Sequence, residues 1–338
     1  METQKIDIAV VILSWNGIEW IKKFLPTIID KSSNANIYVA DNDSTDGTVE
    51  YIKENFTNVN VIQNYSNDGY AKGYNDALKN LNEKYFVLIN SDIEVTDNWL
   101  NPIIDLMEDN IDIAACQPKI LDYNFRNKFE YAGASGGYID TLGYPYCRGR
   151  IFSDIEEDNN QYDDIKEVFW ASGACLFVRS ENFKEINGFD NDFFAHQEEI
   201  DLCWRLKNSG YKVMVNPQSV VYHVGGGTLN SSSPFKTYLN FRNNLFMLYK
   251  NLPFLKLLIT ILFRLPLDGI AAITFLKKED GIGHLFSILR AHLIFYISIP
   301  LLTIKRSKIK RKRKVFGISN FSILFKYYAL GIKKYSNL

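Results

Sequence analysis

The strongest constraint in this chain is Phe86-Val87-Leu88-Ile89, a continuous apolar run that passes without a turn residue into Asn90-Ser91-Asp92 and then Glu94. A run with no polar alternation reads as a strand covered on both faces, which implies a parallel sheet sandwiched by helices. Open sheets of that kind bind ligands at the carboxyl ends of their strands. Asp92 therefore has two readings. It either caps the turn, or it holds a hard divalent cation whose remaining sites a diphosphate fills.

The segments before it repeat the same grammar. Ile6–Ser14 is β-branched and apolar, Trp15-Asn16-Gly17 breaks it, and Glu19–Ile29 has helical spacing. Ile37–Ala40 is a second strand, closed by Asp41-Asn42-Asp43-Ser44-Thr45-Asp46-Gly47, with a helix from Thr48 and a third strand at Val59–Gln63. Strands alternating with helices predict a doubly wound, mostly parallel α/β domain. Asp41, at a strand end, either accepts hydrogen bonds from a nucleoside or stabilises an Asx turn. The loop Asn67–Asn75 contains Gly69 and Gly73, which permit close approach of backbone to a ligand, but not at dinucleotide-fold or P-loop spacing.

Further on, Thr96 or Asp97 is expected to cap a helix through Glu108, and Ile113–Cys116 to form a strand. Residues 122–164 read as an irregular excursion with one hairpin near Gly136–Gly143. Val168–Val178 reads as a strand whose Ala-Ser-Gly-Ala segment either makes room for substrate or packs under a neighbour. A helix starts near Glu198. Its first turn is rich in carboxylates, which the helix dipole favours. Asp201 and Arg205 are spaced for an i,i+4 ion pair. Glu199 lies off that face without a basic partner, and so is the better general base. His196 reads as a loop residue. Tyr211–Asn216 and Val220–His223 are further strands, and His223 before the glycines is either structural or a metal ligand.

Of the 338 residues, 46% are apolar, enough for a large core. The net charge of −1 hides a division, since residues 252–338 hold 16 Lys and Arg against 3 Asp and Glu. An acidic body is thus joined to a basic tail, and the boundary is set at 250/251. Leu252–Leu276 and Leu285–Ile304 are strongly apolar, but Lys256, Arg264, Pro266, Asp268, Arg290, His292 and Pro300 interrupt them. In-plane helices or a re-entrant hairpin fit that pattern better than spanning helices. Eight of the ten residues 305–314 are basic, a composition suited to an anionic membrane surface. Nothing groove-sized and aromatic accompanies them, so no nucleic acid partner is expected. The four cysteines have no zinc-ligand spacing and are expected as reduced thiols. No secretory leader is read in Met1–Asp7, and Ile8–Leu13 is too short for one.

Seven ordered stretches carry a resemblance: Val10–Gly17, Val39–Thr48, Asn67–Leu78, Leu88–Val95, Trp170–Arg179, Gly188–Leu206 and Val220–Thr228. Together they resemble glycosyltransferase family 2, the GT-A nucleotide-sugar transferases, and within it the bacterial rhamnosyltransferase-like members. The resemblance implies a GT-A-type fold with a C-terminal helical, membrane-associated extension. It also implies inverting transfer from a UDP- or dTDP-sugar to a hydroxyl of a cell-surface polysaccharide or lipid-linked glycan, at the cytoplasmic face of the bacterial inner membrane. It assigns donor binding to Asn16, Asp41, Asp43, Gly69, Lys72, Asn75, Asn90 and Ser91. Mg²⁺ or Mn²⁺ falls to Asp92 and His223, and the base to Glu199, with Glu198 or Asp201 as substitutes. Two departures stand out: Asn90 replaces the first acid of a D-x-D motif, and Glu199 stands where Asp is usual. Rival readings are a sugar nucleotidyltransferase and a catalytically decayed membrane-docked nucleotide- or glycan-binding protein. Ser14-Trp15-Asn16-Gly17, in place of a basic glycine-rich loop, speaks against the first, and retention of Asp92 and Glu199 against the second.

Overall fold

The computed structural model describes residues 7–225, 233–277, 279–312 and 314–338. Residues 1–6, which hold the start of the first expected strand, lie outside the described residues. So do Gly226, Gly227 and Thr228 of the last motif, and Arg313 of the basic run.

The first half alternates: β1 (Ile8–Ser14), α1 (Ile18–Asp30), β2 (Asn36–Asn42), α2 (Thr48–Asn55), β3 (Asn60–Asn64), α3 (Gly69–Leu78) and β4 (Tyr85–Asn90). β1 pairs in parallel with β2 and β4, and β2 with β3. The apolar run of β4 is buried throughout because β1 flanks it on one side and a later antiparallel strand, Cys175–Arg179, on the other, with packed layers over both faces. Register places Ser14 beside Asp41 and Leu13 beside Asn90, so the polar strand ends emerge at one edge.

The chain then continues through β5 (Ile93–Val95), α4 (Asn101–Asp109) and β6 (Ile113–Asp122). A separate antiparallel sheet follows, built from β7 (Gly137–Ile139), β8 (Pro145–Cys147), β9 (Arg150–Ile151) and β10 (Asp154–Ile155). Next come β11 (Lys166–Glu167), β12 (Cys175–Arg179), α5 (Ser180–Glu185), α6 (Glu198–Ser209) and β13 (Lys212–His223). The main sheet runs β11-β13-β6-β12-β4-β1-β2-β3, with β5 added to β13. It is mixed and mostly parallel: β12 opposes β4 and β6, while β13 is parallel to β6. The architecture is GT-A-like, followed by helices.

Several boundaries differ from the sequence reading. α3 begins at Gly69, inside the expected loop, since φ of +85° at that glycine turns the chain directly into the helix. α4 begins at Asn101, with Pro102 in its first turn, and neither Thr96 nor Asp97 caps it. Only Cys175–Arg179 of the 168–178 segment is a strand. The two late strands are one, β13, with a register shift between Asn216 and Val220. The 122–164 excursion is more ordered than its composition suggests. Its β7–β8 hairpin turns on Asp140, whose Oδ1 accepts from the amides of Leu142 (2.9 Å) and Tyr144 (2.8 Å). All four cysteines are free and buried.

α7 (Pro234–Asn251) leads into α8 (Phe254–Phe275) and α9 (Gly281–Lys308). By length and composition both α8 and α9 could cross a membrane. Two of the charges that interrupt the α8 run turn inward, whereas Arg290 on α9 is exposed. Arg264 and Asp268 are 2% and 1% exposed. Asp268 pairs with Arg264 and His292, each at 3.1 Å, and accepts from Tyr144 Oη at 3.1 Å. Outward stand Leu258, Leu262 and Ile273 on α8 and Phe286, Leu293 and Ile297 on α9, all more than half exposed. The final segment returns to the second sheet, where Ile318 bridges Ile139 and Tyr335 stacks on Tyr138 at 5.7 Å.

Candidate active site

A cavity of about 480 Å³ opens where the main-sheet strands end. Asn16, Asn90, Ser91, Asp92, Glu130, His223, Glu198 and Glu199 are among its lining residues. Two groups of titratable side chains face it.

The first group rests on strand pairing. β5 pairs with β13 so that His223 sits opposite Ile93, and this brings the imidazole to Asp92, 131 positions away in sequence. His223 Nε2 is 3.1 Å from Asp92 Oδ1 and 3.3 Å from Asn90 Nδ2. On its other side Nδ1 is 3.3 Å from Glu130 Oε2. Burial disfavours an imidazolium here, yet the charges of Glu130 and Asp92 outweigh it and push His223 up to about 10. Burial likewise opposes charge on Asp92, but His223 holds the carboxyl below the usual range.

Among the described residues no three His, Cys, Asp or Glu side chains form a ready-made metal cage. Asp92 and His223 supply one oxygen and one nitrogen donor. That suits an ion that takes its other ligands from water and phosphate oxygens, as Mg²⁺ commonly does. His223 can ligate only as neutral imidazole, with Glu130 on the far nitrogen fixing which nitrogen faces Asp92.

The second group is built by an unusual loop. Phe194, His196 and Gln197 have φ of +63°, +69° and +71°, strained for residues with side chains. The buried amide of Asn243 on α7 holds them, donating to the carbonyls of Phe193 (2.8 Å), Ala195 (2.9 Å) and His196 (2.7 Å). Asn244 donates to Gln197 Oε1 at 3.2 Å. The loop delivers Glu198 and Glu199 to the cavity at the start of α6. The Oε2 atoms of both are buried with no hydrogen-bond partner among the described residues. Burial pushes Glu199 up to about 7, against the backbone amides of the helix start. Burial and then the charge of Glu199 raise Glu198 well above the carboxylate range. Burial also pulls His196 down to about 4. Gly173 keeps this end open, since a Cβ there would lie 2.9 Å from Tyr70 Oη and 3.7 Å from Glu199 Cβ. Ser172, Gly173 and Ala174 all line the cavity.

The other sequence candidates divide. Asn16, Gly69, Asn90 and Ser91 line the cavity; Asp41, Asp43, Lys72, Asn75 and Asp201 do not. Asp41 Oδ2 accepts from Ser44 N and Gln63 Nε2, each at 2.9 Å, while its buried Oδ1 has no partner among the described residues. Asp43 is exposed with φ of +63°. Asn16 ties the first two loops together, its amide N donating to Ser44 Oγ at 2.8 Å. Lys72 lies between Asp68 (3.0 Å) and Asp76 (2.7 Å) on an outer helix face. Asn75 donates to the carbonyl of Phe189 at 2.8 Å. Asp201 is wholly buried against Arg205 (2.8 Å), Lys250 (3.0 Å) and Asn251 (2.8 Å), a structural network. Glu130, Lys236 and Asn243 were not read from the sequence. The signal for Asn243 was the unbroken polar run Arg242-Asn243-Asn244 in the middle of α7.

The family profile described as Glycosyl transferase family 2 matches residues 9–185. N-acetylglucosaminyl-diphospho-decaprenol L-rhamnosyltransferase of Mycobacterium tuberculosis is 24% identical over 233 residues, which cover 63% of this chain and 75% of its own. Among solved structures, GalNAc-T7 with UDP, GalNAc and Mn²⁺ superposes with a TM-score of 0.56 at 16% identity, over 74% of this chain and 49% of that one. S. aureus TarS 1–349 in complex with UDP gives 0.54 at 16% identity, over 89% and 87%. These two likenesses show a shared fold.

The raised Glu198 has a consequence for stability. Its proton is held more tightly folded than unfolded, so ionisation costs stability as pH rises above about 4.5. Glu198→Gln is predicted to melt about 2 °C or more above wild type at pH 8, the shift expected from roughly 1 kcal/mol. At pH 4.5 the two should nearly coincide. A variant no more stable than wild type at pH 8 in a thermal melt would contradict the burial argument.

Proposed function

The chain belongs to glycosyl transferase family 2, and from that premise we propose that it moves a hexosyl unit, with inversion, from a UDP- or dTDP-sugar to a hydroxyl of a lipid-linked glycan. The observation that carries this reading is that Asp92 with His223 and Glu199 face one cavity from opposite elements. The acceptor hydroxyl attacks C1 of the donor sugar, the C1–O bond to the diphosphate breaks, and Glu199 takes the hydroxyl proton. A carboxyl lifted to about 7 by burial suits that role, because a base works best when its affinity for protons lies near the working pH. Burial and the charge of Glu199 favour the protonated form of Glu198 beside it, which disfavours a second charge in the pocket. Asp92 and His223 would hold Mg²⁺ or Mn²⁺, which when bound supplies Lewis acidity to the departing diphosphate. Asn90, in place of an acid, positions His223 by the 3.3 Å contact and leaves Asp92 as the carboxylate of the motif.

The named acceptor class of the mycobacterial relative supports a diphosphate-linked lipid acceptor here, as does the outer face of α8 and α9. The inner faces of these helices are fastened to the catalytic body through Arg264, Asp268 and His292. A helix held along its length in this way lies in the membrane plane and presents its apolar face to the acyl boundary. Lys308 at the end of α9 and Lys310, Arg311, Lys312 and Lys314 just beyond it are exposed, placed for anionic headgroups.

Glu199→Gln is predicted to lower turnover by about 10²–10⁴-fold while donor affinity is unchanged. The wild-type rate should fall on the acid side of about pH 7, where Glu199 becomes protonated. Near-normal turnover in the variant removes Glu199 from the role. In flotation assays the full chain should rise with vesicles containing anionic phospholipid and rise less with neutral ones. Leu262→Asp combined with Leu293→Asp should leave it at the bottom of the gradient. Equal flotation of that double variant would contradict the in-plane face.

A further inference from the structure

Four carboxylates line the cavity: Asp92, Glu130, Glu198 and Glu199. Burial favours the protonated forms of Glu198 and Glu199, but a nucleotide diphosphate entering the space still needs fixed positive charge to offset its own. Among the described residues that line it, one Lys or Arg is found, Lys236. Asp92 and Glu130 already share His223.

Lys236 stands in the first turn of α7, with Ser233 as cap and Pro234 at the first position. Its backbone amide is satisfied by Ser233 Oγ at 3.2 Å. Its ammonium makes no hydrogen bond and no ion pair with any described residue, unlike Lys119, Lys250 and Lys305, which all reach carboxylates. The side chain is only half-buried, yet burial lowers its proton affinity and Glu130 restores part of it. Half-buried and with no hydrogen-bond or ion-pair partner among the described residues, the ammonium would be stabilised by an arriving anion. The helix start adds its own partial positive charge.

Resting on the transferase reading, we propose that Lys236 is the phosphate-binding side chain of this cavity. Phosphate can reach it from two sources. The donor diphosphate would come from the Asp92–His223 side, where Glu130 lies. The phosphate of a lipid-linked acceptor would come past cavity-lining Phe194 and Phe235, which stack edge to face at 6.0 Å, with Phe235 meeting Tyr238 at 6.2 Å. Tyr238 and Phe194 belong to the apolar cluster that contains Ala291 and Ile294 of α9. A lipid approaching along α9 would therefore meet apolar residues first and Lys236 next.

The test compares the full wild-type chain with Lys236→Met and Lys236→Arg, with Lys236→Gln as substitute should Met disturb the thermal melt. UDP and dTDP are titrated in the presence of Mn²⁺. Transfer is then followed with one glycan carried either on a lipid diphosphate or on a neutral alkyl chain. Loss of one charged hydrogen bond predicts about a tenfold or greater effect in Lys236→Met, largely recovered in Lys236→Arg. A weakened nucleotide affinity identifies the donor as the source. A raised KM confined to the diphosphate-linked acceptor identifies the acceptor. Nucleotide affinities and both KM values within twofold of wild type would overturn the proposal, and so would an equal rise in both KM values with nucleotide affinity intact. Absence of transfer by the wild type from every nucleotide sugar would instead sink the transferase reading, leaving the nucleotide titration to judge Lys236.

Discussion

A carboxylate 5% exposed at the end of a buried strand needs a positive partner, and the rest of the site follows from how this chain provides one. Asp92 cannot find it locally, since its neighbours are Ser91 and Ile93. The partner is His223, delivered by β13 after more than a hundred intervening residues, and fixed in register by β5 and β6. His223 is in turn shared with Glu130, which enters from the segment between β6 and β7. The assembly of β13 between β5 and β6 is thus both a folding event and the step that brings His223 to Asp92 at the cavity wall.

The opposite end obeys a different constraint. Glu198 and Glu199 must be presented to a water-poor space without partners, and a relaxed loop would turn them toward solvent. Three residues in left-handed backbone geometry between 194 and 197 force the presentation. Asn243 stabilises that geometry with one amide group that reaches three carbonyls. Asn244 adjoins the same loop and also meets Arg264 of α8. α8, with its exposed apolar outer face, is thereby joined through two side chains of α7 to the loop that presents Glu198 and Glu199.

Much of this was legible in the order of residues. The unbroken apolar run of β4 announced a strand covered on both faces, and the polar residues after β1, β2 and β4 marked the ligand edge. Asp201 could be set apart from Glu199 by its i,i+4 partner alone, and its burial against Arg205 and Lys250 accords with that spacing. What stayed hidden depends on long-range placement. Glu130 sits in a stretch whose composition resembles an irregular loop, although a second sheet follows it closely. Arg264 and Asp268 looked like interruptions of an apolar helix because sequence does not say which face is inward. Lys236 drew no notice because its isolation is a property of the cavity and not of its neighbours in the chain.

The central claim is that a divalent cation and the base serve one reacting centre from the two ends of a single cavity. Its most direct test is a crystal structure of the protein with Mn²⁺ and a nucleotide diphosphate, using anomalous scattering to locate the metal. The account predicts a manganese peak bonded to Asp92 and to the diphosphate, with His223 beside it and the carboxylate of Glu199 facing the open side of the terminal phosphate. Metal and diphosphate bound together elsewhere, away from Asp92 and out of reach of Glu199, would contradict it.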